Sequence, residues 1–261
     1  MTQLLKSEKI YLKDNFRMVD YAENVSVKLD QLMDEEYLRN YLQDIKHEFN
    51  TESIFVAGSQ LMKRLGFNIA LPALYLMTVH DMKLDMTFNR AGLVSNTVGD
   101  KWLPNLYMDQ LSVEKMSEER RETERQVLTE EIFQKLDKLV NVFNKVSRVP
   151  RPNLWENIAI YVYWLYEKKL KEERFSHVAK RVEEDYEYLI RGLSANAFTD
   201  DCNQLTNFYW GRRIQVDGTR IRRTCCFYYG ANSDRKCCST CPKSPEDAAK
   251  PLPFETVKST Q

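Results

Sequence analysis

Five of the six cysteines in this 261-residue chain, Cys225, Cys226, Cys237, Cys238 and Cys241, fall within 17 positions, and only Cys202 stands apart. Cysteine crowding of this kind in a reducing compartment points to metal ligands or catalytic thiols before disulfides. Cys238-Ser239-Thr240-Cys241 is a Cys-x-x-Cys pair, whose short loop can turn both sulfurs toward one metal ion. The adjacent pair Cys225-Cys226 is more demanding. Successive side chains of a strand point to opposite faces, so if both thiols serve one centre the strand must bend or end there.

Two kinds of centre suit four thiolates. Structural zinc sites pair two Cys-x2–4-Cys knuckles and rarely begin with adjacent cysteines. An iron–sulfur cluster fits the spacing better, with structural zinc and chance or disulfide-forming cysteines as the alternatives. Four thiolates around two ferric irons leave a net negative charge, and the sequence around them is basic. Residues 211–243 hold eight Arg or Lys against two Asp, although the whole chain is neutral. Arg212, Arg213, Arg220, Arg222, Arg223, Arg235 and Lys236 are therefore candidates to offset the charge of a cluster. The ordinary reading of such arginines is a solvated hairpin.

Overall neutrality argues against a general nucleic-acid binder, which needs a basic excess to displace counterions. The opening MTQLLKSEKIYLKDN lacks the apolar run of a secretory signal. The longest apolar stretch, 67–79, is too short to span a bilayer. A cytosolic protein without stable membrane insertion is expected.

Periodicity predicts an α+β fold, predominantly helical with a small antiparallel sheet and a C-terminal cysteine-rich hairpin or loop. Asp34 caps a helix striped by Leu38, Tyr41, Leu42, Ile45 and Phe49. A second stripe at Ile54, Leu61, Met62 and Leu65 ends near Gly66, and a third helix with Pro72 early in it is apolar nearly all round. Leu84, Met86 and Phe88 then alternate with polar residues as in a strand, and 93–98 and 101–107 offer two more, the last an edge strand because of Pro104. Residues 114–125 are charged on every face, as in an exposed helical lead-in or a flexible segment, with a docking surface as the functional alternative. Helices follow from Leu128, from Pro152 after the break at 149–152, and over 176–191. Asp217-Gly218 is a hairpin-turn pair between 212–216 and 219–229. The domain reading is a helical scaffold over 1–210 with a short central sheet, the cysteine hairpin and loop over 211–243, and a disordered tail over 244–261.

The string R-R-T-C-C (Arg222 to Cys226), the aromatic-rich spacer and the closing C-x-x-C-P resemble the C-terminal signature of the FhuF-like ferric-siderophore reductases, usually C-C-x10-C-x2-C. The likeness extends to the Asp217-Gly218 turn, to N-L-W-E-N-I-A-I-Y-V-Y-W (Asn153 to Trp164) and, more weakly, to the Lys63-Arg64 region. It implies a [2Fe–2S] cluster held by Cys225, Cys226, Cys238 and Cys241. Here the spacing departs from the pattern, because ten residues lead from Cys226 to Cys237 but eleven lead to Cys238. Cys238 is preferred, since the two-residue chelate is geometrically demanding and a longer loop costs little; Cys237 becomes a spare thiol.

The resemblance further implies one-electron reduction of a ferric siderophore, which loosens the iron from its hard oxygen ligands. Such chemistry needs no general base, and His47, His80 and His177 are scattered. Candidates for binding the siderophore are Arg212, Arg213, Arg222 and Arg223, with Tyr209, Trp210, Tyr228 and Tyr229 as aromatic walls. Arg212 and Arg213 are expected to guide the substrate, Arg222 and Arg223 mainly to support the cluster. Lys63 and Arg64 are further candidates beside the reading as a helix's wet face. No Gly-x-Gly-x-x-Gly occurs, so electrons are expected from a separate carrier or reductant. The rival functions are a zinc-stabilised interaction module and an iron–sulfur redox sensor.

Overall fold

The computed structural model describes residues 4–210, 218–250 and 252. It is an α+β fold, mostly helical. Helix α1 (Lys6–Phe16) leads into β1 (Met18–Val19) and β2 (Val27–Lys28), and α2 (Glu35–Ile45) follows with Asp34 as its N-cap, accepting from the Tyr37 amide at 2.7 Å. The long helices are α3 (Ile54–His80), α4 (Arg121–Ser147) and α5 (Arg151–Glu167). Shorter helices are α6 (Ala179–Glu187), α7 (Gln204–Tyr209) and α8 (Pro245–Ala249).

Helix α3 is the centre of the molecule. It is buried along nearly its whole length and packs on α4 and α5. The two helices expected on either side of Gly66 are thus one. Gly66 permits a close crossing: a Cβ there would sit 2.8 Å from Cγ1 of Ile158 on α5. Gly58 does the same toward α4, where a Cβ would lie 2.5 Å from that of Ser147. Glycine in this helix therefore marks where neighbours approach, not where the helix stops.

Between α3 and α4 lie β3 (Met82–Leu84), β4 (Ala91–Val94), β5 (Thr97–Val98), β6 (Lys101–Trp102), β7 (Asn105–Met108) and β8 (Val113–Lys115). The largest sheet has the order β1-β7-β4-β2, with β3-β8 and β5-β6 as separate antiparallel pairs. Strand β7 was expected at an edge, but it pairs with β1 in parallel and with β4 antiparallel. Pro104 precedes it and so removes no ladder hydrogen bond. Phe88 leaves the alternating pattern for a 3-10 turn.

The charged lead-in to α4 is not wholly solvated. Arg121 and Arg125 turn onto the buried carboxylate of Asp185, at 2.8 and 3.1 Å, and Thr78 adds a hydrogen bond at 2.9 Å. In the C-terminal region the first arm of the expected hairpin, 212–216, lies outside the described residues, as does Asp217. Beyond Gly218 the chain makes an isolated bridge at Arg220 and then runs irregularly through the cysteines, so the second arm is a loop. The tail expected to be disordered begins with α8, and Ala248 and Leu252 are buried.

Candidate metal centre

The cysteine loop has little regular structure, and its own backbone ties are few. The Arg222 amide donates to the Thr240 carbonyl at 2.9 Å, which clips the first cysteine pair to the Cys-x-x-Cys turn. That turn is closed by the Cys241 amide on the Cys238 carbonyl at 3.0 Å. Phe227 has φ +58°, so the chain swings away directly after Cys226 in a conformation few non-glycine residues adopt. The bend required for both adjacent thiols to serve one centre is present.

Phe227 and Tyr229 pack into the core, Phe227 edge to face on Phe55 at 4.5 Å, and polar side chains on two buried helices fix the backbone around the adjacent cysteines. Ser59 and Gln60 of α3 donate to the Cys226 carbonyl at 2.9 and 2.6 Å. Asn153 of α5 donates to the Cys225 carbonyl at 2.8 Å. Glu156 of α5, fully buried, accepts from the amides of Arg223 and Thr224 at 2.9 and 2.6 Å and from the Thr224 hydroxyl at 2.6 Å. The Arg222 guanidinium lies 3.8 Å from Glu156 and donates to Asn157 Oδ1 at 2.7 Å. Asn157 in turn donates to the Ser59 carbonyl at 2.9 Å, linking the two helices beneath the loop.

All six cysteines are free thiols. Cys226 Sγ and Cys238 Sγ are 3.5 Å apart. The thiol of Cys241 interacts with Cys225 and lowers its pKa, against the raising effect of burial. Cys226 moves the other way, pushed up to about 12 by the Cys238 thiol and by burial. Cys241 also neighbours Cys238, and Cys237 touches Cys241 while its own sulfur faces the carbonyls of Lys243 and Ser244 at 3.8 and 4.0 Å. Among the described residues no three or more His, Cys, Asp or Glu side chains converge as a ready metal site. Cys241 is the common neighbour, touching Cys225, Cys238 and Cys237, and Cys226 joins the group through Cys238.

Cys238 also lines an open cleft of about 460 Å³. Its walls carry Arg17, Lys63, Arg64, Lys101 and Lys236, the rings of Tyr161 and Tyr228, and Leu103, with Cys237 and Ser239 beside Cys238. Lys63 stands 5.9 Å from the Tyr161 ring centroid, and Arg17 sits 4.0 Å over Phe67. Burial lowers the pKa of Arg17 and of Arg64, and the charge of Arg64 lowers Arg17 further.

The sequence candidates are distributed as follows. Lys63, Arg64 and Tyr228 line the cleft with Cys238. Arg222, 2% exposed, and the buried Tyr229 belong to the interior, so neither offers a surface to a siderophore. Arg223 bonds the Asn207 carbonyl at 2.9 Å. Tyr209 and Trp210 stack edge to face away from the cleft, with Tyr209 under the guanidinium of Arg220. Arg212 and Arg213 lie outside the described residues. Sequence reasoning missed Arg17, Lys101 and Tyr161 on the cleft and the clamping side chains of α3 and α5. The latter had a signal: Asn153, Glu156 and Asn157 recur at i, i+3 and i+4 on an otherwise apolar helix, which puts three polar groups on one buried face.

The chain matches no protein-family model, and no curated protein was found that matches it.

Proposed function

We propose that this protein is a cytosolic ferric-siderophore reductase of the FhuF-like kind, passing single electrons to the iron of a bound chelate. The observation that carries the reading is the contact of Cys226 with Cys238 at the edge of a cation-lined cleft. The donor set fits a [2Fe–2S] cluster, because its two irons take two thiolates each and four thiols here lie in one connected row, Cys226 to Cys238, Cys238 to Cys241 and Cys241 to Cys225. Cys226 with Cys238 and Cys225 with Cys241 would hold it. Once bound, such a cluster supplies one-electron redox chemistry at low potential.

The remaining work falls to the chain's own residues. Ser59, Gln60 and Asn153 fix the carbonyls of the adjacent cysteines, and Glu156 fixes the amides just before them. Arg222, held from behind, places positive charge next to thiolates that carry the opposite sign. The cleft brings the ferric complex beside Cys238. The iron gains one electron and becomes ferrous, a separate carrier or reductant loses that electron, and no proton transfer is required. Hard oxygen donors hold ferrous iron far less tightly, so the metal is released.

Purification without oxygen, with iron, sulfide and zinc measured per chain and a visible spectrum before and after dithionite, tests the reading. Stoichiometric iron and sulfide, with a spectrum that bleaches and is restored by a ferric siderophore, is the expected result. A colourless zinc protein overturns it in favour of a zinc-stabilised interaction module.

A further inference from the structure

We infer that the cleft beside Cys238 selects a polyanionic, catecholate-type ferric chelate over a neutral hydroxamate one. The inference rests on the reductase reading for its ferric cargo, and on the charges of the cleft for its selectivity.

Elsewhere in the molecule, arginines that leave the solvent find a carboxylate. Arg121 and Arg125 have Asp185, Arg151 has Asp137 and Asp200, and Arg220 has Glu167. The cleft departs from that pattern. Among the described residues no carboxylate pairs with Arg17, Lys63, Arg64 or Lys101, and no Asp or Glu lines the cavity; Lys236, on the exposed rim, is paired with Asp234 at 2.8 Å. Nη1 of Arg17 is buried without a hydrogen-bond partner, as are single nitrogens of Arg125, Arg151 and Arg222, but those three guanidiniums have a carboxylate within 4 Å and, among the described residues, Arg17 has none. Concentrating like charges in a partly desolvated cavity is unfavourable unless an anion enters, and an unpaired buried guanidinium donor is a vacancy for a ligand oxygen.

The chemistry of ferric chelates then separates the classes. A tris-catecholate complex of ferric iron is a trianion, whereas a tris-hydroxamate complex is neutral. Only the former gains from several converging cations. Its aromatic rings also suit the faces of Tyr161 and Tyr228, where Lys63 already stands over one ring. The cavity volume falls in the range of small-molecule sites.

Gallium(III) complexes, which cannot be reduced under these conditions, allow binding to be measured apart from electron transfer. The metal-loaded protein is titrated at low and high salt with a gallium tris-catecholate and with a gallium tris-hydroxamate, following binding by calorimetry. At low salt the trianion should bind at least about tenfold tighter, and the gap should shrink as salt is added. Arg17→Gln combined with Lys63→Gln should remove about tenfold from the trianion's affinity and leave the neutral complex unchanged. Lys101→Gln, at an exposed position where folding is not at risk, should cost the trianion severalfold, roughly the effect of one partly screened charge. Equal or tighter binding of the neutral chelate overturns the inference, as do unchanged affinities in both variants. Variants that alter only the redox potential would reassign these cations to the metal centre and also overturn it. Binding of the trianion by a protein that transfers no electrons would remove the reductase reading and leave the selectivity standing. Reduction of both chelates without charge preference would do the reverse.

Discussion

The helices α3 and α5 and the cysteine loop that lies on them touch along one boundary, yet they are held by opposite means. The helices meet through apolar side chains and through glycine at the crossing, so each residue contributes a little and many contribute together. The loop has almost no ladder of its own; Phe227 and Tyr229 anchor it in the core, but the backbone that presents Cys225 and Cys226 depends on a few buried polar groups, chiefly Glu156, Asn157, Gln60 and Ser59. Distributed packing tolerates single losses. A small set of polar clamps in a dry interior does not, because each partner left behind keeps its desolvation cost.

The largest effect should come from the thiols themselves. Replacing Cys225, Cys226, Cys238 or Cys241 by Ser is expected to abolish or greatly weaken incorporation of iron and sulfide, while Cys237→Ser and Cys202→Ser keep a coloured protein. Retained colour in Cys238→Ser with loss in Cys237→Ser would reverse the pairing read from the 3.5 Å contact of Cys226 with Cys238.

Next come matched changes on the two sides of the boundary. Glu156→Gln removes the carboxylate 3.8 Å from the buried Arg222 guanidinium, and breaking a buried pair in this way costs about 3–5 kcal/mol. Leu61→Ala in α3 should cost about 2–5 kcal/mol through a cavity. The totals overlap, but the profiles differ. Leu61→Ala should lower the unfolding midpoint of metal-loaded and metal-free protein alike in denaturant titrations. Glu156→Gln should also weaken metal retention against a chelator, since it loosens the loop that presents the thiols. Equal chelator sensitivity in both variants would erase the distinction between clamp and core.

The same division explains what could be read from sequence. Apolar periodicity located α2, α4 and α5 because their buried stripes repeat at helical spacing, and crowding alone located the cysteines. Gly66 misled, since a glycine that ends a helix and one that admits a neighbour look identical until Ile158 is seen against it. The very short strands β1 and β2 carry too few residues for a period to emerge. The cationic cleft was legible only in Lys63, Arg64 and Tyr228, for a different reason. Arg17, Lys63, Lys101 and Lys236 are far apart in the chain, and only the packing of α1, α3, β6 and the loop brings them to one cavity. Arg222 and Tyr229 were named for chemistry they share with surface residues, but the polar groups of α5 and the core draw them inside.

A smaller change probes the helix crossing without touching the loop. Gly66→Ala places a methyl group 2.8 Å from Cγ1 and 3.1 Å from the backbone Cα of Ile158. Helix propensity favours alanine by about 1 kcal/mol. Overpacking opposes it with about 1–3 kcal/mol, and because one of the crowded atoms is backbone the neighbour has little room to yield. A net loss in denaturant midpoint is expected, partly rescued by Ile158→Val. A stabilised Gly66→Ala would mean that the helices separate easily, and the contrast between a rigid core and a clamped loop would lose its first half.

The smallest effect should fall at the edge of the clamp. Asn153 donates to the Cys225 carbonyl at 2.8 Å, but unlike Gln60 it is only half-buried, near the first turn of α5. When its side chain is removed in Asn153→Ala, water can reach the abandoned carbonyl, so the cost is that of one ordinary hydrogen bond, about 0.5–1.5 kcal/mol. Gln60→Leu removes a donor from the Cys226 carbonyl where the surroundings are dry, and it also releases the Arg64 guanidinium held at 2.8 Å by Gln60 Oε1. Ser59 still donates to the Cys226 carbonyl at 2.9 Å, so the penalty falls mainly on the desolvated Arg64 guanidinium and should raise the cost to about 1–3 kcal/mol. The order of the two variants is the informative quantity, measured as denaturant midpoints on protein with equal metal content. If Asn153→Ala proves the more damaging, burial does not set the strength of these clamps, and the Cys225 carbonyl must be held against a strain that the Cys226 carbonyl does not bear.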